Sequence, residues 1–89
     1  MYKQVTIVSN ETGIHARPAT EFVTLAKKFQ SDISVSRVGD ASAANAKSVV
    51  RILAAGLKRG TEIEISAEGS DEKEAVDALI QLVESGFGE

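Results

Sequence analysis

The chain contains no cysteine and no tryptophan, and only one proline and one histidine among its 89 residues. Without cysteine there is no disulfide framework, and a cytoplasmic location is the expectation. A lone histidine cannot gather the four ligands that zinc usually takes, so no metal site is expected. Aromatic residues are scarce, with three Phe and one Tyr. Together with a net charge of −3, that argues against a sheet that stacks and binds nucleic acid. No apolar run approaches the roughly 18 residues of a membrane span, and the N-terminus lacks the apolar core of a signal peptide. Nucleic acid and membrane are therefore not expected partners, and no cofactor is implied.

What is present is ordinary for a globular chain: 43% hydrophobic and 26% charged residues. A length of 89 residues suits one domain, 1–89, with no room for a second core. The small net charge conceals an asymmetry. Residues 1–59 hold nine Lys and Arg against four Asp and Glu, a balance of +5, whereas residues 60–89 hold one against nine, a balance of −8. A fold that keeps these portions apart would steer acidic partners toward the basic side.

Hydropathy patterning gives seven elements. Tyr2 to Val8 alternates, with Val5 and Ile7 on one face and Gln4 and Thr6 on the other, the period of a half-buried strand. Ser9 to Gly13 is loop chemistry. From Ala16 to about Phe29, Ala19, Phe22, Val23, Ala26 and Phe29 recur at helical spacing, with Lys27 and Lys28 in the last turn. Ile33 and Val35 alternate with Ser34 and Ser36. A turn at Val38-Gly39-Asp40 leads to a weak third strand at 41–44. A second helix is expected to start at Asn45 or Ser48, run through Leu57, and end at Gly56 or Gly60. Thr61 to Ala67 alternates again, with Ile63, Ile65 and Ala67 inward and two glutamates outward. The last helix is capped by Ser70 or Asp71, and Asp71 with Glu74 fits a capping box. Its buried stripe is Val76, Leu79, Ile80 and Val83, and Gly86 stops it. The order βαββαβα with one wet sheet face reads as a two-layer α+β sandwich.

The single histidine lies where the first strand pattern gives way to a helix, within Thr12-Gly13-Ile14-His15-Ala16-Arg17-Pro18-Ala19-Thr20. A helix start presents unpaired N–H groups and the positive end of a dipole, which suit an anion such as phosphate. Proline is tolerated there because its missing N–H has no partner inside the helix. No Gly-x-Ser-x-Gly elbow is present, and no acidic residue is placed to orient the ring, which argues against a serine-type triad. The imidazole is left as a nucleophile that becomes covalently modified. Arg17 with the helix N–H groups can hold phosphoryl oxygens once the ring carries the group.

The run Gly13-Ile14-His15-Ala16-Arg17-Pro18-Ala19 resembles the active-site motif of the histidine-containing phosphocarrier (HPr) family of the bacterial sugar phosphotransferase system. Asn45-Ala46-Lys47-Ser48 resembles that family's regulatory-serine segment. Residues 60–63 through 69–72 resemble its last strand and turn, so the likeness covers essentially the whole chain. It implies an open-faced sandwich with a four-stranded antiparallel sheet, order 1-4-2-3, covered on one face by three helices. It implies that His15 takes phosphate on Nδ1 from phosphorylated enzyme I and passes it to enzyme II A components. Phosphoenolpyruvate is then the ultimate source, and Arg17 binds phosphoryl oxygens. The chain would be a carrier and not an enzyme. By the same resemblance, an HPr kinase/phosphorylase phosphorylates Ser48, which slows receipt at the histidine and recruits a transcriptional regulator. On the residues alone, Ser48 equally serves as a helix cap.

The second helix is too apolar for a single buried stripe, so some of Val49, Val50 and Leu53 should be exposed, rimmed by Arg17, Lys47 and Arg51. With Thr20, these make the expected docking set, and the chain is expected to be a monomer. Two features depart from the common family pattern. The segment between Ile33 and Ser48 is two residues longer, and Arg51 stands where many relatives carry glycine and others lysine. One alternative is a regulatory paralogue of a nitrogen-related phosphotransfer branch. A different class, a small acyl-phosphate hydrolase, would need an arginine in a glycine-flanked phosphate loop, and Ser9 to Gly13 contains none.

Overall fold

The computed structural model describes Met1–Glu89. Strands β1 (Tyr2–Ile7), β2 (Asp32–Arg37), β3 (Ala44–Asn45) and β4 (Glu62–Glu68) form one sheet, and helices α1 (Ala16–Ala26), α2 (Val49–Ala55) and α3 (Glu72–Glu84) lie among them in the chain. The sheet order is β1-β4-β2-β3 and every pairing is antiparallel. This is the open-faced α+β sandwich that the resemblance implied. β4 occupies a central position, and its alternation is clean: Ile63, Ile65 and Ala67 are buried under the helices, while Glu62, Glu64 and Ser66 face the open side. Phe22, Ile52, Leu79 and Val83 come down from the helices to complete the core.

β1 turns the opposite way from its hydropathy. Val5 and Ile7 are 47% and 54% exposed, whereas Thr6 and Val8 are buried. Val5 pairs with Glu64 and Ile7 with Glu62, so both aliphatic residues share the wet face with the glutamates. The inward face is fixed by α3. The Tyr2 hydroxyl donates to Asp77 at 3.1 Å and the Thr6 hydroxyl to Glu84 at 3.2 Å, which satisfies the polar groups that the strand turns inward.

Other boundaries also move. α1 ends at Ala26, with Lys27 as its C-cap, so Lys27 and Lys28 follow the helix and Phe29 packs half-buried beyond it. β3 is only two residues long, because Ser34 and Val35 alone pair with it. Ser48 caps α2 by accepting the Arg51 N–H at 3.2 Å, and Gly56 ends it in the left-handed region at φ 64°. Leu57 is then buried outside the helix.

The expected capping box of α3 does not form. Asp71 is the N-cap residue but makes no capping bond. Its carboxylate instead accepts the N–H of Gln30, the N–H of Ser31 and the Ser31 hydroxyl, tying α3 to the start of β2. Glu72 bonds the Gly69 N–H in its place. Gly86 does end α3, and the chain continues into a single 3-10 turn, Gly86–Gly88, that buries Phe87.

Candidate functional site

The site is built where the β1–α1 loop leans on the turn after α2. Gly13 has φ 70°, and a Cβ there would lie 2.6 Å from the Leu57 carbonyl oxygen and 2.9 Å from Lys58 Cα. Only glycine allows that approach. The Ile14 N–H then donates to the Leu57 oxygen at 2.9 Å, and the Ile14 side chain is buried. Asn10 braces the loop from within, donating through Nδ2 to the Gly13 oxygen at 2.8 Å. Glu89 reaches the same loop and accepts from the Thr12 hydroxyl at 3.0 Å.

His15 follows directly as the N-cap residue of α1, in extended backbone at φ −142° and ψ 161°. It is exposed, and its ring makes no capping bond. Ala16 takes φ 52°, left-handed backbone that costs an L residue about 1–2 kcal/mol. This kink joins the extended His15 to the helix. The first N–H groups of a helix have no intrahelical acceptor. Those of Ala16 and Arg17 find no other acceptor here, and Pro18, buried in the first turn, has no N–H to offer. Two free backbone donors therefore stand beside the imidazole at the positive end of α1.

His15 lines a depression of about 200 Å³ together with Thr12, Ile14, Leu53, Gly56, Leu57 and Lys58. The structure thus brings His15 and Leu53 together, two residues that the sequence placed in different elements. Lys58 and Thr12 were not expected in the site. They arrive there because Gly13 clamps the loop onto the end of α2, and the readable signal was that glycine two residues before the histidine. Arg17 does not line the depression. Its guanidinium extends along α1, with Nε 3.7 Å from Glu21 Oε2, a loose exposed ion pair from which it is readily released.

The remaining expected residues are more dispersed. Val50 is 74% and Leu53 40% exposed, while Val49 is half-buried against the core. Arg51 and Thr20 are exposed. Lys47 is otherwise engaged: its ammonium donates to the Phe29 carbonyl at 2.7 Å and binds the segment after α1. Ser48 does not line the His15 depression. No His, Asp and Glu cluster able to hold a metal ion is present.

The sequence profile described as "PTS HPr component phosphorylation site" matches residues 2–85. The chain belongs to the HPr family. It is 43% identical over 84 residues to the phosphocarrier protein HPr of Vibrio cholerae, covering 94% of this chain and 96% of that protein. To the phosphocarrier protein NPr of Proteus mirabilis it is 44% identical over 88 residues, covering 99% and 96%. The crystal structure of HPr-C-His from Thermoanaerobacter tengcongensis superposes with a TM-score of 0.95 at 46% identity, covering 100% of this chain and 98% of that one. An HPr dimer from the same organism has also been solved, at 49% identity. The chain spans 22% and 21% of the multiphosphoryl transfer proteins of Escherichia coli and Vibrio cholerae that it also matches. The HPr and NPr relatives that this chain covers almost completely are phosphocarrier proteins by name.

Proposed function

We propose that His15 is the residue that carries the phosphoryl group. The supporting observation is an exposed imidazole at the α1 N-terminus beside the unpaired N–H groups of Ala16 and Arg17. A lone pair on Nδ1 attacks the phosphorus of a phosphohistidine on enzyme I. The new N–P bond forms as the old one breaks, and the departing electron pair stays on the donor imidazole. The two N–H groups, and Arg17 once it leaves Glu21, hold the phosphoryl oxygens. Transfer to a histidine of an enzyme II A component repeats the exchange in reverse. The exposure of His15 favours this traffic, because a deep cradle would retain the group. We assign the protein as a carrier and not an enzyme, since the group it accepts is handed on unchanged, and as a cytoplasmic monomer.

Docking is assigned to the exposed stripe of Val50 and Leu53 beside His15, with Thr20, Val49 and Arg51 around it and Lys47 behind. Ser48 is assigned as the regulatory phosphorylation site, read by an HPr kinase/phosphorylase and a transcriptional regulator. A phosphate of about −1.5 to −2 charge next to that stripe would repel acidic partners. The comparable identities to an HPr and an NPr support a second reading, in which the nitrogen-related branch is served in place of sugar uptake.

Incubation with phosphoenolpyruvate and enzyme I tests the assignment. An acid-labile, base-stable phosphoprotein is the expected product, and acid-stable label alone would refute it. Faster labelling by the nitrogen-branch enzyme I than by the sugar-branch one would select the second reading. For Ser48, ATP and the kinase/phosphorylase should yield an acid-stable label that Ser48→Ala removes. No label would reduce Ser48 to its capping role, whose loss costs about 1 kcal/mol.

A further inference from the structure

A second opening lies away from His15, between the β2–β3 connection and α2. Its volume is about 250 Å³, and Arg37 and Arg51 both line it. The position of Arg37 is unusual. Ile33 and Val35 are buried on the helix side of β2, and the two-residue period of a strand puts residue 37 on that same side. Arg37 thus holds the next helix-side position at the end of the sheet, where it is exposed to solvent and lines the cleft. From above, Arg51, Ala54 and Ala55 form one stripe of α2 at i, i+3 and i+4, and all three face the cleft. The alanines, with Ala43 and Ala44 opposite, are too short to fill it.

The charges in this cleft are unspent. Arg37 and Arg51 make no ion pair and no side-chain hydrogen bond. Asp40 lines the same space, yet its carboxylate bonds only the Ser42 N–H, through Oδ1 at 3.0 Å. Two guanidinium forks offer more donors than one carboxylate can accept, and with Asp40 counted the cleft keeps a net positive charge that attracts a phosphate with three terminal oxygens. The alanine floor accommodates a short carbon body, and the second Asp40 oxygen can accept from a hydroxyl on it.

We propose that this cleft is a binding site for a small phosphate monoester, with the phosphoryl group held between Arg37 and Arg51 and a hydroxylated body over Ala54 and Ala55. The site does not include His15, although Leu57 lines both openings and Arg51 also borders the docking stripe assigned above.

Glycerol 3-phosphate is a suitable probe, titrated into the full-length protein and followed by amide NMR. Saturable shifts confined to residues 37–44 and 51–55 are expected, with none from glycerol at equal concentration. Arg37→Met should weaken binding about tenfold or more, as loss of a charge-assisted contact does, while leaving labelling of His15 unchanged. Ala54→Leu, at an exposed position of the lining, fills the cleft without altering charge, and it should abolish the shifts in a protein of unchanged melting temperature. Absence of saturable shifts, shifts centred on Ala16 and Arg17, or binding unaffected by both variants would each overturn the proposal.

Discussion

Gly13 lies against the Leu57 carbonyl so closely that a methyl group at its α-carbon would stand 2.6 Å from that oxygen. The contact joins the loop carrying the histidine to the turn carrying Lys58. Gly13→Ala therefore meets both a left-handed backbone, φ 70°, and a backbone clash. A loss of about 1–3 kcal/mol in stability is expected, with slower phosphoryl acceptance because His15 separates from Leu53. Chemical denaturation and a transfer assay on the same sample check both effects.

Arg17 and Glu21 supply a contrasting pair of substitutions. Their ion pair is exposed and 3.7 Å long, so Glu21→Ala should change stability by no more than about 0.5 kcal/mol. Transfer should be unchanged or faster, since the guanidinium is released. Arg17→Ala should slow transfer by about tenfold or more, the consequence of losing a hydrogen bond to a charged group. Steady-state rates with enzyme I at fixed ionic strength separate the two.

Asp71 gives a pH dependence whose sign is fixed. The Ser31 hydroxyl, and after it the Gln30 N–H, hold its carboxyl below the usual 3.8. An Asp whose folded value is depressed stabilises the fold above the unfolded value, near 3.8, and that contribution disappears as pH falls through the lower folded value. Stability measured from neutral pH downward should thus decline below about pH 4, and Asp71→Asn should flatten that part of the decline. An identical decline in the variant would assign it to other carboxylates, such as Asp77, which Lys73 also holds low.

Val50 and Ile52 are close neighbours in α2 with opposite roles. Val50 is 74% exposed and Ile52 fully buried. Val50→Glu should weaken enzyme I binding with little change in melting temperature, whereas Ile52→Ala should cost about 2–5 kcal/mol. Calorimetric titration and thermal melts on both variants test the docking assignment.

The features that were legible in the sequence depend on local order. The β4 alternation, the α3 stripe, the Ser48 cap and the His15–Pro18 junction each follow from residues within a few positions of one another. The features that were not legible depend on partners distant in sequence. A two-residue period shows that Val5 and Thr6 lie on opposite faces but not which face is inward, and bonds to Asp77 and Glu84 in α3 decide it. Asp71 reads as half of a capping box until Ser31, 40 residues away, claims its carboxylate. Lys58 likewise enters the site only through the approach of Gly13 to residues 57–58. The Arg17–Glu21 pair was readable from its i, i+4 spacing.

The claim that His15 carries the phosphoryl group is tested most directly by locating phosphorus on the labelled protein. After reaction with phosphoenolpyruvate and enzyme I, nitrogen–phosphorus NMR couplings should place it on Nδ1 of His15, and His15→Ala should take up none. Phosphorus on any other residue, or label persisting in His15→Ala, would contradict the account.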